Sequence, residues 1–374
     1  MSLPRVKLGP ALLGLLWGAL LAAATAAAAE RLGRYPVDEA QISVSGISSG
    51  AFMANQLHIA HSSRIMGAGL IAGGLYGCAV GRVGGDGVQA FASLALGPCM
   101  SAPRLLRPVE AYARQAEFFA RRGWIDPPDN LARGRLYAFT GRADSVVDSE
   151  TVRRGVALYE ALGLPKSRID LHDGDLPGNG AGHSWVTANY GLACDANAAP
   201  YINDCDLDQA GQMLGAIYGP LRPAAERLGG DVVAFDQAEF APGGDPAPHG
   251  LWGVGHLYVP AACRPGVAAE PCRLHVVLHG CRQSEQVLGE VFFRNVGVNE
   301  WADTNRILVL YPQARSVGVG DFRVHRPLDV FNTNPEGCWN WWGYAYDDRY
   351  LFKDGVQVRA IWAMVQRLAG LSND

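Results

Sequence analysis

The sequence predicts an α/β fold in which helices cover both faces of a mostly parallel β-sheet. Short β-branched or apolar segments alternate with segments of helical periodicity, which is the pattern of strand–helix–strand units. The chain has 374 residues, of which 49% are hydrophobic and 18% are charged. An average soluble domain has about 25% charged residues, so this chain has ample material for a large core.

The predicted elements follow one another in the order that such a sheet requires. The strands are short runs rich in Val, Ile, Leu and Tyr, bounded by turn residues. In chain order they cover residues 41–45, 65–73, 135–140, 168–172, 251–259, 273–278 and 307–311. The helices are segments in which apolar residues recur every three to four positions. They cover residues 51–60, 108–122, 149–162, 207–218, a stretch around 286–301, and 356–368.

Residues 229–248 are rich in glycine and proline and form one candidate domain boundary. One interpretation is a linker between two domains. The other is an excursion, meaning a long surface segment that stays within one domain. We favour the excursion, because the strands that follow would have too few helices and too small a sheet to fold alone. The sequence therefore predicts a single domain over residues 30–374, which we expect to be a monomer.

The N-terminus predicts export from the cell. Arg5 and Lys7 precede an apolar run over residues 11–21, and small residues follow up to Ala29. This is the layout of a secretory signal peptide, so we expect residues 1–29 to be removed and the protein to be extracellular or periplasmic. An uncleaved membrane anchor is the alternative, but the small-residue end favours cleavage. No later segment has the roughly 18 apolar residues of a membrane span, so we expect no stable membrane insertion.

The charge balance gives no support to a nucleic-acid partner. The formal net charge is −4, and removal of the leader with its two basic residues makes it −6. Proteins that bind nucleic acids are typically basic.

The eight cysteines are an even number, which suits an oxidising compartment. None of them forms a C-x-x-C pair, so a zinc cluster is not predicted, and we expect no metal site. Eight cysteines allow 105 pairings, and sequence alone does not choose among them. Close spacing favours three bridges and leaves a fourth pair, namely Cys78–Cys99, Cys194–Cys205, Cys263–Cys272 and Cys281–Cys338.

Residues 46–50 (GISSG) fit the G-x-S-x-G pattern between a predicted strand and a predicted helix. At such a turn the serine is held in a strained conformation with its hydroxyl exposed, and the glycines allow close backbone approach. A glycine- and serine-rich loop is the alternative interpretation. The strand before the motif and the helix after it favour Ser48 as a nucleophile over its neighbour Ser49, which is out of register with the glycines.

A serine nucleophile needs a base, and the base needs a carboxylate that orients it. Asp144 follows a predicted strand at its carboxyl end, where the sites of α/β sheets gather. Asp148 competes with it but is better placed to cap the next helix. His183 lies in a glycine-rich loop after another strand, and the order Ser, Asp, His favours a catalytic over a structural role.

The predicted chemistry also needs an oxyanion hole. The amide of Ser49 supplies one donor, and a strand-end loop of HG type at residues 276–281 (VVLHGC) supplies the other through Cys281. In the usual α/β-hydrolase this loop precedes the nucleophile, whereas here it follows the whole triad. The position of each loop in a parallel sheet depends on which strands are neighbours and not on their order in the chain. Moving the chain termini to another loop therefore preserves the site. We therefore predict a circularly permuted α/β-hydrolase.

Aromatic residues crowd the segment 334–344 (NPEGCWNWWGY). In a loop they could line a crevice or rest on an apolar polymer, and core packing is the alternative. We expect Trp339, Trp341 and Trp342 to include a substrate contact. Trp339 comes first, because it adjoins the cysteine that we pair with the HG loop.

Five motifs in order resemble the single-domain, circularly permuted poly(3-hydroxybutyrate) depolymerases, over about residues 44–368. They are GISSGA with Ser48, TGRADSVV with Asp144, GNGAGHSW with His183, LHGCRQS and GCWNWWGY. The resemblance implies cleavage of ester bonds in a polyester of short 3-hydroxyalkanoates, an adjacent tryptophan in the crevice, and an oxyanion hole formed by Ser49 and Cys281. Larger secreted members add a linker and a polymer-binding domain, and we expect no such domain here.

We therefore expect a secreted serine esterase that needs no cofactor and acts on the polyester or on its oligomers. A feruloyl or acetyl-xylan type esterase is the alternative among enzymes, since it shares the HG-loop chemistry and the nucleophile elbow, which is the G-x-S-x-G turn at residues 46–50. The alternative of another class is a non-catalytic polymer-binding protein that uses its aromatic segment.

Overall fold

The computed structural model describes residues 29–173, 180–318 and 333–372. The predicted leader lies outside them apart from Ala29, as do Gly178 and Asn179 of the predicted histidine loop. The strands of the described residues are, in chain order, β1 (Val37–Ile47), β2 (Ile65–Ile71), β3 (Val80–Val83), β4 (Val88–Ala90), β5 (Arg135–Thr140), β6 (Ile169–Asp173), β7 (Trp185–Thr187), β8 (Leu192–Ala193), β9 (Ile202–Asp204), β10 (Asp231–Asp236), β11 (Val254–Val259), β12 (Cys272–Leu278) and β13 (Ile307–Tyr311).

α-Helices lie between β1 and β2, β4 and β5, β5 and β6, β9 and β10, and β12 and β13. The α-helices of the described residues are α1 (Ser49–Ala60), α2 (Ala92–Leu96), α3 (Val109–Arg121), α4 (Ser149–Ala161), α5 (Gln209–Tyr218), α6 (Glu285–Leu288), α7 (Val291–Asn295), α8 (Val298–Asn305) and α9 (Val356–Ala369). None of the helices in the described part of the chain is long and apolar enough to span a membrane.

The main sheet has eight strands in the order β10-β11-β13-β12-β1-β2-β5-β6. All neighbours from β13 to β6 are parallel, whereas β10 and β11 are antiparallel additions at one edge. Two smaller sheets contain β3 with β4, and β7 with β9 and β8. The predicted α/β class with a mostly parallel sheet is confirmed.

Alternate residues of the central strands enter two separate hydrophobic cores, because successive side chains of a strand point to opposite faces. On β5, Leu136 and Ala138 pack with residues of α1, α3, α4 and α9. The intervening Tyr137 and Phe139 pack with residues of α5, α7 and α8. Helices therefore cover both faces, and the central strands are buried on both sides, which explains their continuous apolar sequences.

The permuted order of the chain has a simple consequence in space. β12 lies next to β1 in the sheet, with Ser45 opposite Val277 and Gly46 opposite Leu278. The loop after β1 and the loop after β12 therefore leave the same edge of the sheet side by side. The predicted HG loop thus lies beside the predicted nucleophile, although more than 200 residues separate them along the chain.

The short strands β3, β4, β7, β8 and β9 were not predicted, and two further differences have a clear cause in the sequence. The stretch 286–301 is not one helix but three short ones, because Gly289 and Gly297 adopt positive φ values of 58° and 75° where the helices break. Within 229–248 the sequence reasoning missed β10, which pairs with β11. This edge strand is largely exposed and lacks the apolar alternation that identifies a buried strand.

The four disulfides form as the spacing predicted. They join Cys78 to Cys99, Cys194 to Cys205, Cys263 to Cys272 and Cys281 to Cys338. The fourth links the loop after β12 to the aromatic segment across 57 residues of sequence.

Candidate active site

Ser48 lies at a sharp turn between β1 and α1. Its φ of 55° and ψ of −122° are strained for a residue with a side chain. The turn is held by a hydrogen bond from the Ser48 amide to the Ile71 carbonyl (2.9 Å). A Cβ added to Gly50 would lie 2.2 Å from the Leu278 carbonyl oxygen, and one added to Gly46 would lie 2.4 Å from the Gly50 backbone. The two glycines of the motif are therefore required by close backbone approach.

Asp144 and His183 meet in a direct hydrogen bond. The His183 Nδ1 atom donates to the Asp144 Oδ2 atom at 2.8 Å, and the two side chains are 6% and 0% exposed respectively. The second carboxylate oxygen accepts from the amides of Val146 (2.8 Å) and Val147 (2.9 Å). Because Nδ1 carries the donated proton, Nε2 of the neutral ring is left as an acceptor.

Asp148, the competing carboxylate, caps α4 by accepting from the Glu150 amide at 2.8 Å. The structure thus gives the two carboxylates different partners. His58 and His61, on the helix after Ser48, are buried. Burial lowers the pKa of each to about 3, so both remain neutral packing residues.

Ser48 and His183 line one cavity of about 260 Å³. The predicted serine, histidine and HG loop are therefore brought together. Most of the remaining lining is apolar and comes from the aromatic segment, α1 and the loops around residues 96–100 and 146–147. These residues are Phe52, Leu96, Met100, Val146, Val147, Trp341 and Trp342.

Because β12 ends at Leu278, the name HG loop is used from here on for residues 279–282. This loop approaches the serine closely, since a Cβ added to Gly280 would lie 3.3 Å from the Ser48 Cβ. Its amides have different partners. The Gly280 amide donates to Gln283 Oε1 (2.7 Å), and the Arg282 amide donates to the Glu336 carbonyl (2.8 Å). Among the described residues, no acceptor is found for the Cys281 amide between them.

The Ser49 amide is the first of α1, where helix amides lack intrahelical acceptors and the helix dipole favours negative charge. Cys281 lines the cavity, and Ser49 directly follows Ser48, which also lines it.

His279 holds the HG loop in place. Its Nδ1 atom donates to the Gly280 carbonyl (2.7 Å), and its Nε2 atom accepts from the Ala314 amide (3.0 Å). This pattern requires a neutral ring. Burial lowers the pKa of His279 to about 4, which keeps it neutral at ordinary pH.

The tryptophans have separate roles, and the expectation for Trp339 is corrected. Trp339 is fully buried and does not line the cavity, because its Nε1 atom donates to the His279 carbonyl at 3.0 Å. Trp341 stacks on Phe52 with ring centroids 4.1 Å apart and lines the cavity. Trp342 lies edge-on to Trp341 at 5.3 Å and also lines it. Trp339, which was chosen because it is next to Cys338, therefore supports the HG loop and does not line the cavity.

Sequence reasoning missed two amide side chains that hold the loops. Gln283 donates to the carbonyls of Pro200 (2.9 Å) and Tyr201 (3.0 Å), in addition to accepting from the HG loop. Its place in LHGCRQS was a signal that could have identified it. Asn197 accepts from the His183 amide at 2.8 Å, and no motif marks it in the sequence.

No family model matches the chain. The poly(3-hydroxybutyrate) depolymerase of Delftia acidovorans is 38% identical over 345 residues, which cover 91% of this chain and 62% of that protein. This chain therefore spans less than two thirds of the length of that relative. The polyhydroxybutyrate depolymerase of Talaromyces funiculosus is 34% identical over 363 residues, which cover 94% of this chain and 96% of that protein.

Solved structures agree with these relatives. The crystal structure of a PHB depolymerase from Penicillium funiculosum matches with a TM-score of 0.76 at 29% identity, covering 92% of this chain and all of that one. A PHB depolymerase variant complexed with an R3HB trimer matches with the same values. The resemblance drawn from the motifs is thus confirmed, and the chain belongs to the poly(3-hydroxybutyrate) depolymerase family.

Proposed function

We propose that this protein is a serine esterase that hydrolyses the ester bonds of poly(3-hydroxybutyrate) or its oligomers through Ser48, His183 and Asp144. The observation that carries the proposal is the His183–Asp144 hydrogen bond beside a strained serine in one cavity. Family membership supports the polyester as substrate, and the apolar lining suits the hydrocarbon parts of hydroxyacyl units.

The reaction begins at the ester carbonyl. The Ser48 oxygen forms a bond to the carbonyl carbon while its proton passes to Nε2 of His183, and the carbonyl electron pair becomes an oxyanion. The amides of Ser49 and Cys281 donate to that oxygen. Two such donors contribute several kcal/mol to the stability of the transition state. Asp144 keeps the imidazole oriented and stabilises its charged form.

The intermediate then collapses to an acyl-enzyme. The bond from carbon to the ester oxygen breaks, and His183 gives its proton to the leaving alkoxide, which departs as the hydroxyl end of a shortened chain. Water next attacks the acyl carbon and loses a proton to His183. The second intermediate releases a carboxylic acid as the proton returns to Ser48.

Export is part of the proposal. Four disulfides suit an oxidising compartment, and the basic and apolar N-terminal sequence is typical of a signal peptide. Expression with the full N-terminus, followed by mass determination of the exported protein, tests it. We expect a mature chain that begins at Glu30, and an intact leader would contradict it.

The activity is tested with purified protein on 3-hydroxybutyrate oligomers, with a feruloyl ester as the competing substrate. We expect release of 3-hydroxybutyrate by the wild type and a loss of at least about 10³-fold in Ser48→Ala. Ser49→Ala is the matched control, since it keeps the backbone amide and is expected to retain activity within a few-fold. Equal turnover by wild type and Ser48→Ala would remove Ser48 from the mechanism, and preferential ferulate release would change the substrate class.

A further inference from the structure

The loops that carry Asp144 and His183 are joined by the side chain of a third residue, Asn197. Its Oδ1 atom accepts from two backbone amides, that of His183 at 2.8 Å and that of Ser145 at 3.0 Å. Its Nδ2 atom donates to the carbonyls of Ala143 (2.9 Å) and Asp195 (3.1 Å). The two residues that flank Asp144 in the chain are therefore both bonded to Asn197, as is the backbone of the histidine itself.

We propose that Asn197 is a positioning residue that sets the distance between the Asp144 and His183 loops for the proposed esterase reaction. The inference rests on the proposed function, because positioning matters only if the pair acts on Ser48. Asn197 does not line the cavity and does not contact the reacting atoms. Its effect comes through the backbone of His183 and of Ala143 and Ser145, which flank Asp144.

An amide side chain suits this task because it is both a double acceptor and a double donor. Only one other backbone hydrogen bond is seen here between the two loops in the described residues, from the Ala143 amide to the Ala181 carbonyl (3.0 Å). Arg142, Ser145 and Asp148 are exposed, while Gly141 lies directly against the Ala181 carbonyl, so the two loops touch mainly at this one point of the backbone. Three of the four bonds of the Asn197 side chain reach these two loops and add to that contact, while the fourth holds Asn197 to the Asp195 carbonyl of its own loop.

Asn197 is itself held in a closed loop. The Cys194–Cys205 disulfide closes residues 194–205, and the Asn203 side chain donates to the carbonyls of Cys194 and Ala196, both at 2.8 Å. The Cys194 carbonyl also accepts from the Gly182 amide at 2.8 Å. These contacts hold the 194–205 loop so that Asn197 lies beside the histidine and aspartate loops.

Asn203 offers a matched control. It is also an asparagine of the 194–205 loop and donates to two backbone carbonyls, but it bonds neither the residues that flank Asp144 nor His183. Removing its side chain takes two hydrogen bonds from the loop, whereas removing that of Asn197 takes four. A role of Asn197 in general loop stability would therefore be shared by both residues, whereas positioning belongs to Asn197 alone.

The test compares Asn197→Ala, Asn197→Asp and Asn203→Ala in the full-length mature protein. For Asn197→Ala we expect kcat on oligomers to fall about 10- to 100-fold with KM unchanged within about twofold, as misplacement of a reacting group does. Asn197→Asp keeps the acceptor atoms and should lose less. Asn203→Ala should also lower Tm, while kcat stays within about threefold of wild type.

A second readout does not depend on activity. The proton that His183 Nδ1 donates to Asp144 is expected as a downfield NMR resonance that disappears in Asp144→Asn. It should broaden or vanish in Asn197→Ala and persist in Asn203→Ala. A full kcat with an intact resonance in Asn197→Ala would overturn the inference, and so would equal loss of kcat in Asn203→Ala. If the wild type cleaves no ester, the proposed function fails and the resonance alone decides the role of Asn197.

Discussion

The loops that carry Ser48 and Cys281 leave neighbouring buried strands, whereas the loops that carry Asp144 and His183 combine close backbone contacts at Gly141 and Gly182 with hydrogen bonds to side chains. In the serine half, defined here as residues 46–50 and the HG loop, backbone packs on backbone at glycines. In the histidine half, defined as residues 141–148 and 180–185, Asn197 and the Asp144 carboxylate satisfy the backbone amides. Both halves reach the core, since Ala181 and Trp185 of the histidine half belong to one hydrophobic cluster and Val147 to the other, but the backbone amides next to Asp144 and at His183 are satisfied by side chains.

This difference teaches where each half should be vulnerable. Backbone contacts at a glycine have no room for an added atom, so small insertions in the serine half should unfold it. Side-chain hydrogen bonds can be removed one at a time, so replacing Asn197 or the Asp144 carboxylate in the histidine half should reduce activity while the fold survives.

The largest effect is expected at Gly50. Gly50→Ala places a Cβ 2.2 Å from the Leu278 carbonyl oxygen, so the elbow and β12 have to separate. We expect destabilisation of about 4 kcal/mol or more, or no folded protein, measured by urea unfolding. Gly215→Ala is the control, since that helical glycine has no heavy atom within 4 Å of an added Cβ. It should be neutral or stabilising by up to about 1 kcal/mol, and a neutral Gly50→Ala would break the comparison.

The next effect concerns the histidine half. Asp144→Asn removes the charge that orients His183, and we expect kcat to fall by about 10³- to 10⁴-fold with little change in Tm. Asp148→Asn keeps a capping side chain on α4 and should leave kcat within about twofold. The measurement is steady-state hydrolysis of oligomers with thermal unfolding of each variant. A larger loss in the Asp148 variant would reverse the assignment of the two carboxylates.

One disulfide that is anchored in the serine half and one that lies outside it separate stability from activity. Chain entropy predicts a loss of about 4 kcal/mol for the bridge that closes 57 residues and about 2.5 kcal/mol for the bridge that closes 9. Replacing Cys281 and Cys338 together with serine should also lower kcat, because the HG loop loses its tie to the aromatic segment. Replacing Cys263 and Cys272 should leave kcat unchanged. Chemical unfolding and hydrolysis assays of both double variants check this, and equal activity would contradict it.

The smallest effect is the pH dependence of the free energy of unfolding that comes from His275, on the strand that leads to the HG loop. His275 is buried between the hydroxyls of Ser43 (2.6 Å) and Ser45 (2.8 Å), and burial lowers its pKa to about 3. The unfolded chain takes up the proton near the ordinary value of about 6.5. Stability is therefore full above about pH 6.5 and is lost as the pH falls toward the folded-state pKa, by about 1.4 kcal/mol per pH unit for this group.

This contribution can be isolated by a single substitution. In His275→Gln the free energy of unfolding should fall less steeply between pH 6 and 4, by about 1.4 kcal/mol per unit compared with wild type. Urea unfolding at several pH values measures the slope. Burial also lowers the pKa of His58, His61 and His279, and these histidines make the same contribution to the slope in both proteins. Identical slopes in wild type and His275→Gln would therefore show that His275 does not take up a proton on unfolding.

The same contrast explains what could be predicted from the sequence. The strand before Ser48 and the glycines around it form a local pattern with a steric cause, so the elbow and the HG loop could be identified. The Asn197 bonds join residues 143–145, 183 and 197, which no local pattern connects. Trp339 and Trp341 have equal hydrophobicity and differ only in which side of the segment faces the cavity, and that depends on tertiary packing.

The central claim is that Ser48 is a nucleophile activated by the His183–Asp144 pair, and covalent labelling tests it most directly. The mature protein is treated with a serine-directed fluorophosphonate, and the modified peptide is identified by mass spectrometry in the wild type and in His183→Ala. We predict one adduct, on Ser48, that forms at least about 10²-fold more slowly when His183 is replaced. A label on another serine, or labelling of Ser48 at the same rate without His183, would contradict the account.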